Sequence, residues 1–208
     1  MLDAILYHAW FWVHAPHVFE GLGRGKVPGE GYIGLPLRQI RVNGRNRYAA
    51  SRAVYSQECV EIENWNKRPD FFSADKQQYL SAKSGVISSS VGLMRAYRMP
   101  QVVRKIKDNR LTFYAMGNSD EVQRLLNCIP AVGKKAAMGW GAVEKWEVMP
   151  ASDDYTILHP QHGLMRPMPT DEITLCGYPI MEYGVKPPYW KRENHALCYV
   201  PIVPAEGL

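Results

Sequence analysis

Residues 111–148, LTFYAMGNSDEVQRLLNCIPAVGKKAAMGWGAVEKWEV, constrain the fold more than any other stretch of the chain. LTFYAMG (111–117) alternates and is rich in aromatic and β-branched side chains, which predicts a strand. Ser119 then stands where a helix N-cap belongs, and Asp120 and Glu121 fall in the first turn, where the helix dipole favours negative charge. Val122, Leu125, Leu126 and Ile129 carry the helical period, and Pro130 ends it. A glycine-rich turn follows, and GAVEKWEV (141–148) reads as a second strand. Strand, helix, glycine-rich turn and strand make half of a ferredoxin-like unit, so the expected class is α+β.

The turn itself, VGKKAAMGWG, sets glycines beside two lysines and a tryptophan, and three phosphate-binding motifs can be tested against it. A P-loop needs four residues between its glycines and then Gly-Lys-Ser/Thr; Gly133 to Gly139 is one residue too long, and Trp140 occupies the lysine position. A dinucleotide fingerprint needs a third glycine where Glu144 stands, and it should open a helix, whereas this loop follows one. The partner motifs of a kinase loop are missing. Two uses stay open. The glycines serve a sharp helix-to-strand turn, or they let the backbone approach a phosphate chain while Lys134 and Lys135 neutralise it and Trp140 offers a stacking face.

Around this element the chain is organised unevenly. Residues 2–14 predict a helix with a broad apolar face, closed by Pro16, and residues 21–34, with six glycines, predict a loop. Ile40 and Val42 suggest a strand leading into the Asn-Gly turn of a hairpin. Arg38, Arg41, Arg45, Arg47 and Arg52 fall between 38 and 52 with no acidic residue among them, which favours phosphate contact over a merely solvated face. CVEIENW is a strand candidate, and NKRPDFFSADKQQ is an irregular excursion. Residues 83–110 carry seven Lys/Arg against one acid, with Tyr97 between Arg95 and Arg98, a pattern suited to single-stranded nucleic acid. Nine of the 15 prolines lie at or after Pro150, so 150–208 is expected to be a loop-rich extension packed on a main domain of residues 1–149, with the basic insertion at about 38–110. LCYVPIVP is its last strand candidate.

The bulk numbers narrow the class. With 208 residues and a hydrophobic fraction of 46%, the chain can bury a sizeable core. A formal charge of +5 suits a polyanion. Cys59, Cys128, Cys176 and Cys198 form no CxxC pair, which points to buried free thiols and away from a zinc ribbon or disulfide scaffold. His14 and His17 have metal-ligand spacing but no third ligand nearby, so a role at the helix end is expected, with no metal and no cofactor. LDAILYHAWFWV is too short to span a bilayer and lacks a basic lead-in, so a soluble, cytoplasmic protein is expected.

Four stretches, LDAILYHAW, LTFYAMGNSDEVQRLL, GKKAAMGWGAVEKWEV and PPYW, resemble in their order the RAMP superfamily of RNA-binding CRISPR–Cas subunits, and most closely its Cas-five-like subunit of type IV effector complexes. The resemblance implies a ferredoxin-like (RRM-like) RAMP domain whose glycine-rich loop lies against CRISPR RNA. It implies binding of the 5′ repeat-derived handle and capping of that end of the ribonucleoprotein. An adjacent backbone RAMP subunit, a large-type subunit and target DNA near the duplex-opening site would be its neighbours. Gly133, Lys134, Lys135, Gly139, Trp140 and Gly141 become the RNA-contact candidates, and the ribbon around Lys83, Arg95, Tyr97 and Arg98 corresponds to the family's protruding hairpin. RAMP domains begin with a core strand before the first helix, whereas here the helix starts at about Leu2; a strand upstream of Met1, or another segment, would fill that place. The competing expectations are a metal-independent endoribonuclease working through His8, His14 or His17, and a generic single-strand binder.

Overall fold

Leu2, Leu6 and Ala9 recur at helical spacing and are buried, with Tyr7 and Phe11 beside them, so helix α1 (Leu2–His14) forms by covering an apolar face. In this computed structural model the described residues are 1–15, 34–67, 97–133, 136 and 139–202. They contain strands β1 (Gln39–Val42), β2 (Arg45–Tyr48), β3 (Gln57–Lys67) and β4 (Tyr97–Ile106), helix α2 (Ser119–Leu126), and strands β5 (Leu158–His159), β6 (Gly163–Leu164), β7 (Met168–Pro169), β8 (Ile180–Gly184) and β9 (His195–Tyr199). The sheets are small and antiparallel: β1–β2, β3–β4, β5–β6, and a three-stranded sheet in the order β7–β9–β8. The protein is thus a mixed α and β structure, compatible with the expected α+β class.

The chain forms two compact units, Met1–Val54 with Leu111–Leu208, and Tyr55–Arg110. The second unit is built on the long β3–β4 hairpin, paired from Cys59↔Lys105 to Lys67↔Tyr97. In the first unit, α1 and α2 share one core: Leu2, Leu6 and Phe11 meet Val122, Leu125, Leu126 and Ile129, together with Leu35, Leu37, Tyr48 and Ala50. Each fully buried leucine there contributes about 1.5–3 kcal/mol.

Sequence and structure agree on α1, on the β1–Asn43–Gly44–β2 hairpin with both turn residues at positive φ, on a strand at CVEIENW, and on one at the LCY that opens the LCYVPIVP candidate. They differ in three places. The N-cap of α2 is Asn118, whose side chain accepts from the N–H groups of Asp120 and Glu121, and Ser119 is the first helical residue. Residues 111–117 are extended but form no continuous ladder: Thr112 bridges Val54, Ala115 bridges Ala50 and Gly117 bridges Leu37. A side chain at Gly117 would collide with the Pro36 carbonyl, 2.1 Å from its β-carbon.

Residues 141–148 form no strand beyond the Ala131↔Ala142 bridge. Their polar backbone groups go to α2 instead: the Gln123 amide donates to the Trp146 carbonyl at 3.1 Å and accepts from the Val148 N–H at 3.0 Å. The Trp146 indole donates to the Ile129 carbonyl at 3.0 Å and its ring packs on the core. A side-chain amide thereby replaces a neighbouring strand as partner.

Within the first unit, buried charge ties residues 150–202 to α1 and to the β1–β2 hairpin. Arg166, 1% exposed, donates to the carbonyls of Tyr48, Ala50 (3.2 Å) and Val185 (2.9 Å) and stands 3.8 Å from the Asp3 carboxyl, itself 0% exposed. The Tyr189 hydroxyl, from PPYW, bonds the same carboxyl at 2.7 Å. Burial raises the pKa of Asp3, against the opposing pull of Arg166 and Tyr189. Arg47 pairs with Glu172, both side chains nearly inaccessible, while Arg45 meets Asp171 at the surface.

No helix among the described residues is long and apolar enough to cross a membrane. All four cysteines are free; Cys198 is buried, which pushes its thiol up to about 11. Cys59 is half-buried and Cys128 and Cys176 are exposed, so the expectation of buried thiols holds for Cys198 alone.

Neighbouring carboxylates give a direct test of these pairings. Glu172→Gln, which strands the buried Arg47, is expected to cost about 3–5 kcal/mol in urea unfolding. Asp171→Asn, at the surface, should leave the midpoint essentially where it was.

Candidate nucleic-acid interface

Where α2 ends, Pro130–Val132 and Gly141–Val143 run antiparallel as a narrow neck. The Val132 N–H donates to the Gly141 carbonyl and the Val143 N–H to the Pro130 carbonyl, each at 2.8 Å. Gly141 lies at φ +66°, and a β-carbon there would sit 2.0 Å from the Val132 carbonyl oxygen. Only glycine fits, and the reason is the neck itself. Gly133 (φ +104°) and Gly139 (φ +84°) also need the left-handed region, but open space surrounds them. Both are exposed, Trp140 is partly buried, and the Gly139 N–H closes a turn on the Ala136 carbonyl at 3.0 Å. Gly141 is thus required by the turn itself, while Gly133 and Gly139 are exposed positions with room around them. Lys134 and Lys135 lie outside the described residues.

The arginines separate as well. Arg38 and Arg41 are exposed, with no ion-pair partner among the described residues. Arg45 and Arg47, on one face of β2, are held by Asp171 and Glu172. Arg52 donates to the carbonyls of Leu164 (3.3 Å), Ala53 (3.3 Å) and His162 (3.2 Å). The inference that the cluster lacks acidic partners is thus corrected: the carboxylates come from more than a hundred residues away, beyond the reach of a local charge count. Arg98 is exposed on β4 in the second unit; the Tyr97 side chain, Lys83 and Arg95 lie outside the described residues.

The histidines offered for catalysis are engaged on their own helix. His8 Nε2 accepts the Trp12 indole N–H at 2.7 Å, and burial lowers its pKa. His14 Nδ1 lies 3.0 Å from the Trp10 carbonyl, with its ring stacked on Trp10. His17 is outside the described residues. Among the described residues no group of three or more His, Cys, Asp or Glu is placed to hold a metal ion. Sequence reasoning missed Arg166 and the ring cluster of Tyr114, Tyr155, His159 and His162. The signal for Arg166 was present: one arginine inside the apolar run GLMRPMP predicts a buried, paired charge.

The model of the family described as CRISPR type IV associated protein Csf3 matches residues 66–201. The chain belongs to the Csf3 family. The matched span includes α2, the glycine turn, Arg166 and PPYW, so three of the four stretches that resemble RAMP subunits fall inside it. Membership makes the chain a subunit of a type IV CRISPR effector system, where it works with other subunits. No curated protein matches it.

The turn can be dissected by stability. Gly141→Ala is expected to cost more than about 2 kcal/mol, because strain adds to a backbone collision, and Gly139→Ala about 1 kcal/mol for the left-handed conformation alone. Equal losses by urea unfolding would contradict the division of roles.

Proposed function

We propose that this chain is a non-catalytic CRISPR RNA-binding subunit that recognises the 5′ repeat-derived handle and caps that end of a type IV effector ribonucleoprotein. In this reading residues 1–149 form the ferredoxin-like RAMP domain. Its glycine turn lies along the RNA backbone, and the adjacent backbone RAMP subunit, a large-type subunit and the opening target duplex are its neighbours. The supporting observation is the turn: Gly133 and Gly139, exposed and left-handed, flank Lys134 and Lys135 in the sequence, next to a neck that requires Gly141, inside the span matched to Csf3. Exposed glycine backbone with two lysines between in the sequence suits a phosphate chain. Of the candidate arginines among the described residues, Arg38, Arg41 and Arg98 are exposed, while Arg45, Arg47 and Arg52 are engaged within the fold.

Lys134→Ala with Lys135→Ala is expected to weaken binding of a handle RNA by about 1–3 kcal/mol and to lower the salt slope by about two. Fluorescence anisotropy against the handle and a scrambled RNA makes the measurement. Unchanged affinity in the double variant overturns the role of the turn. Equal affinity for both RNAs makes the chain a generic single-strand binder, and EDTA-resistant cleavage of the RNA makes it a nuclease.

A further inference from the structure

A second surface of the first unit carries the features of a nucleobase site. Tyr114, Tyr155, His159 and His162 form a continuous series of rings. Tyr114 lies 5.2 Å from Tyr155 and 5.4 Å from His159; Tyr155 lies 4.6 Å from His159, and His159 lies 4.5 Å from His162, centroid to centroid. The series is neither core nor fully free: the first three rings are partly exposed and His162 is exposed.

The rings are also held in place. β5 and β6 pair Leu158 with Leu164 and His159 with Gly163, which fixes the Pro160–His162 turn. Gly163 is at φ +64°, and its missing β-carbon leaves room for the Tyr178 hydroxyl, which accepts the Leu164 N–H at 3.1 Å. His159 Nδ1 accepts the Gln161 N–H at 3.1 Å, so its Nε2 carries the proton of the neutral ring. Tyr114 is anchored through its backbone to Ser51, and the Tyr155 hydroxyl meets Ser152 Oγ at 3.2 Å.

Charge completes the surface. Arg52 spends its donors on neutral carbonyls, including that of His162, so its positive charge is not cancelled by a carboxylate among the described residues. Burial, then His159 and Arg52, lower the pKa of His162, which keeps its ring neutral and able to stack at pH 7. Asp154, just before Tyr155, is turned to the N–H and hydroxyl of Thr156 at 2.9 and 2.7 Å.

We propose that Tyr155, His159 and His162, backed by Tyr114 and with Arg52 beside them, are a stacking platform for an unpaired nucleobase of a single strand, separate from the glycine turn. Aromatic and imidazole faces stack on any base, and an uncancelled guanidinium draws the adjoining phosphate. A platform already assembled loses little side-chain freedom on binding. The strand is the CRISPR RNA or a single DNA strand, since both carry the same stacking face. The assignment extends the RNA-binding role proposed above and rests on it for the identity of the RNA arm alone.

Photocrosslinking tests it. The chain, purified with its complex, is irradiated with a handle RNA carrying 4-thiouridine, and separately with a DNA single strand carrying 4-thiothymidine; crosslinked peptides are then mapped. Crosslinks within 155–162 in either arm support the platform, and the arm that yields them identifies the strand. Crosslinks to the 133–141 turn alone overturn the platform and leave the handle reading standing. Crosslinks at neither place overturn both.

Affinity provides the second measurement, on the strand that crosslinks. His159→Ala with His162→Ala should weaken binding by about 5- to 100-fold. His159→Phe with His162→Phe, which keeps the faces, should stay within about threefold of the parent. His162→Ala alone, at an exposed position, guards against a folding defect and should still weaken binding measurably. Parent-like affinity in both alanine variants overturns the proposal.

Discussion

A guanidinium buried to 1% exposure must find partners inside the protein, and Arg166 finds them in three separate parts of the chain. It takes carbonyls from Tyr48 and Ala50 at the end of the arginine hairpin, a carbonyl from Val185 beyond β8, and the charge of Asp3 at the start of α1. Tyr189 closes the arrangement from the PPYW segment; burial first, then the charge of Asp3, raise its pKa well above the usual tyrosine value, so it remains a hydroxyl donor. The segment is itself braced, with the Asn194 amide on the Pro188 carbonyl at 3.0 Å and His195 Nε2 2.8 Å from the Tyr189 carbonyl. Gly184 permits the approach, since a β-carbon there would lie 2.7 Å from that same carbonyl. Removing one member of such a group leaves the others buried and uncompensated, which is costlier than any surface pair.

That constraint explains how the cations are divided. The proline-rich region spends Asp171 and Glu172 on Arg45 and Arg47, and the carbonyls of His162 and Leu164 on Arg52. Basic side chains that look alike in the sequence thus fall into two groups. Those along β2 and at Arg52 tie residues 150–202 to the hairpin, and Arg38 and Arg41 remain exposed. The glycine turn is positioned independently, by the end of α2 and by Trp146 and Gln123 below it.

What could be read from the sequence was local. The α1 period, the Asn43–Gly44 turn and the apolar face of α2 each follow from residues within a few positions of one another, and each formed as expected. Asn118 displaced Ser119 as the cap because both side chains can accept from the first turn, and spacing alone cannot rank them. What could not be read was non-local. GAVEKWEV has the alternation of a strand, but its hydrogen-bond partner is the side chain of Gln123, which no periodicity reveals. The carboxylates facing Arg45 and Arg47 lie 126 and 125 residues away, and the ring series joins Tyr114 to histidines in a segment whose composition suggested only loop. The glycine turn was therefore legible as a motif, while the partners that decide which arginines are paired required the fold.

Membership in the Csf3 family makes the chain part of a type IV CRISPR effector system, and the proposed role at the end of a CRISPR RNA is open to a direct test. The most direct measurement is sequencing of the RNA that co-purifies with the chain when it is expressed together with its genomic neighbours. The proposed function predicts small RNAs that share one 5′ end of repeat-derived sequence. Heterogeneous fragments, or no RNA with the assembled complex, would contradict it.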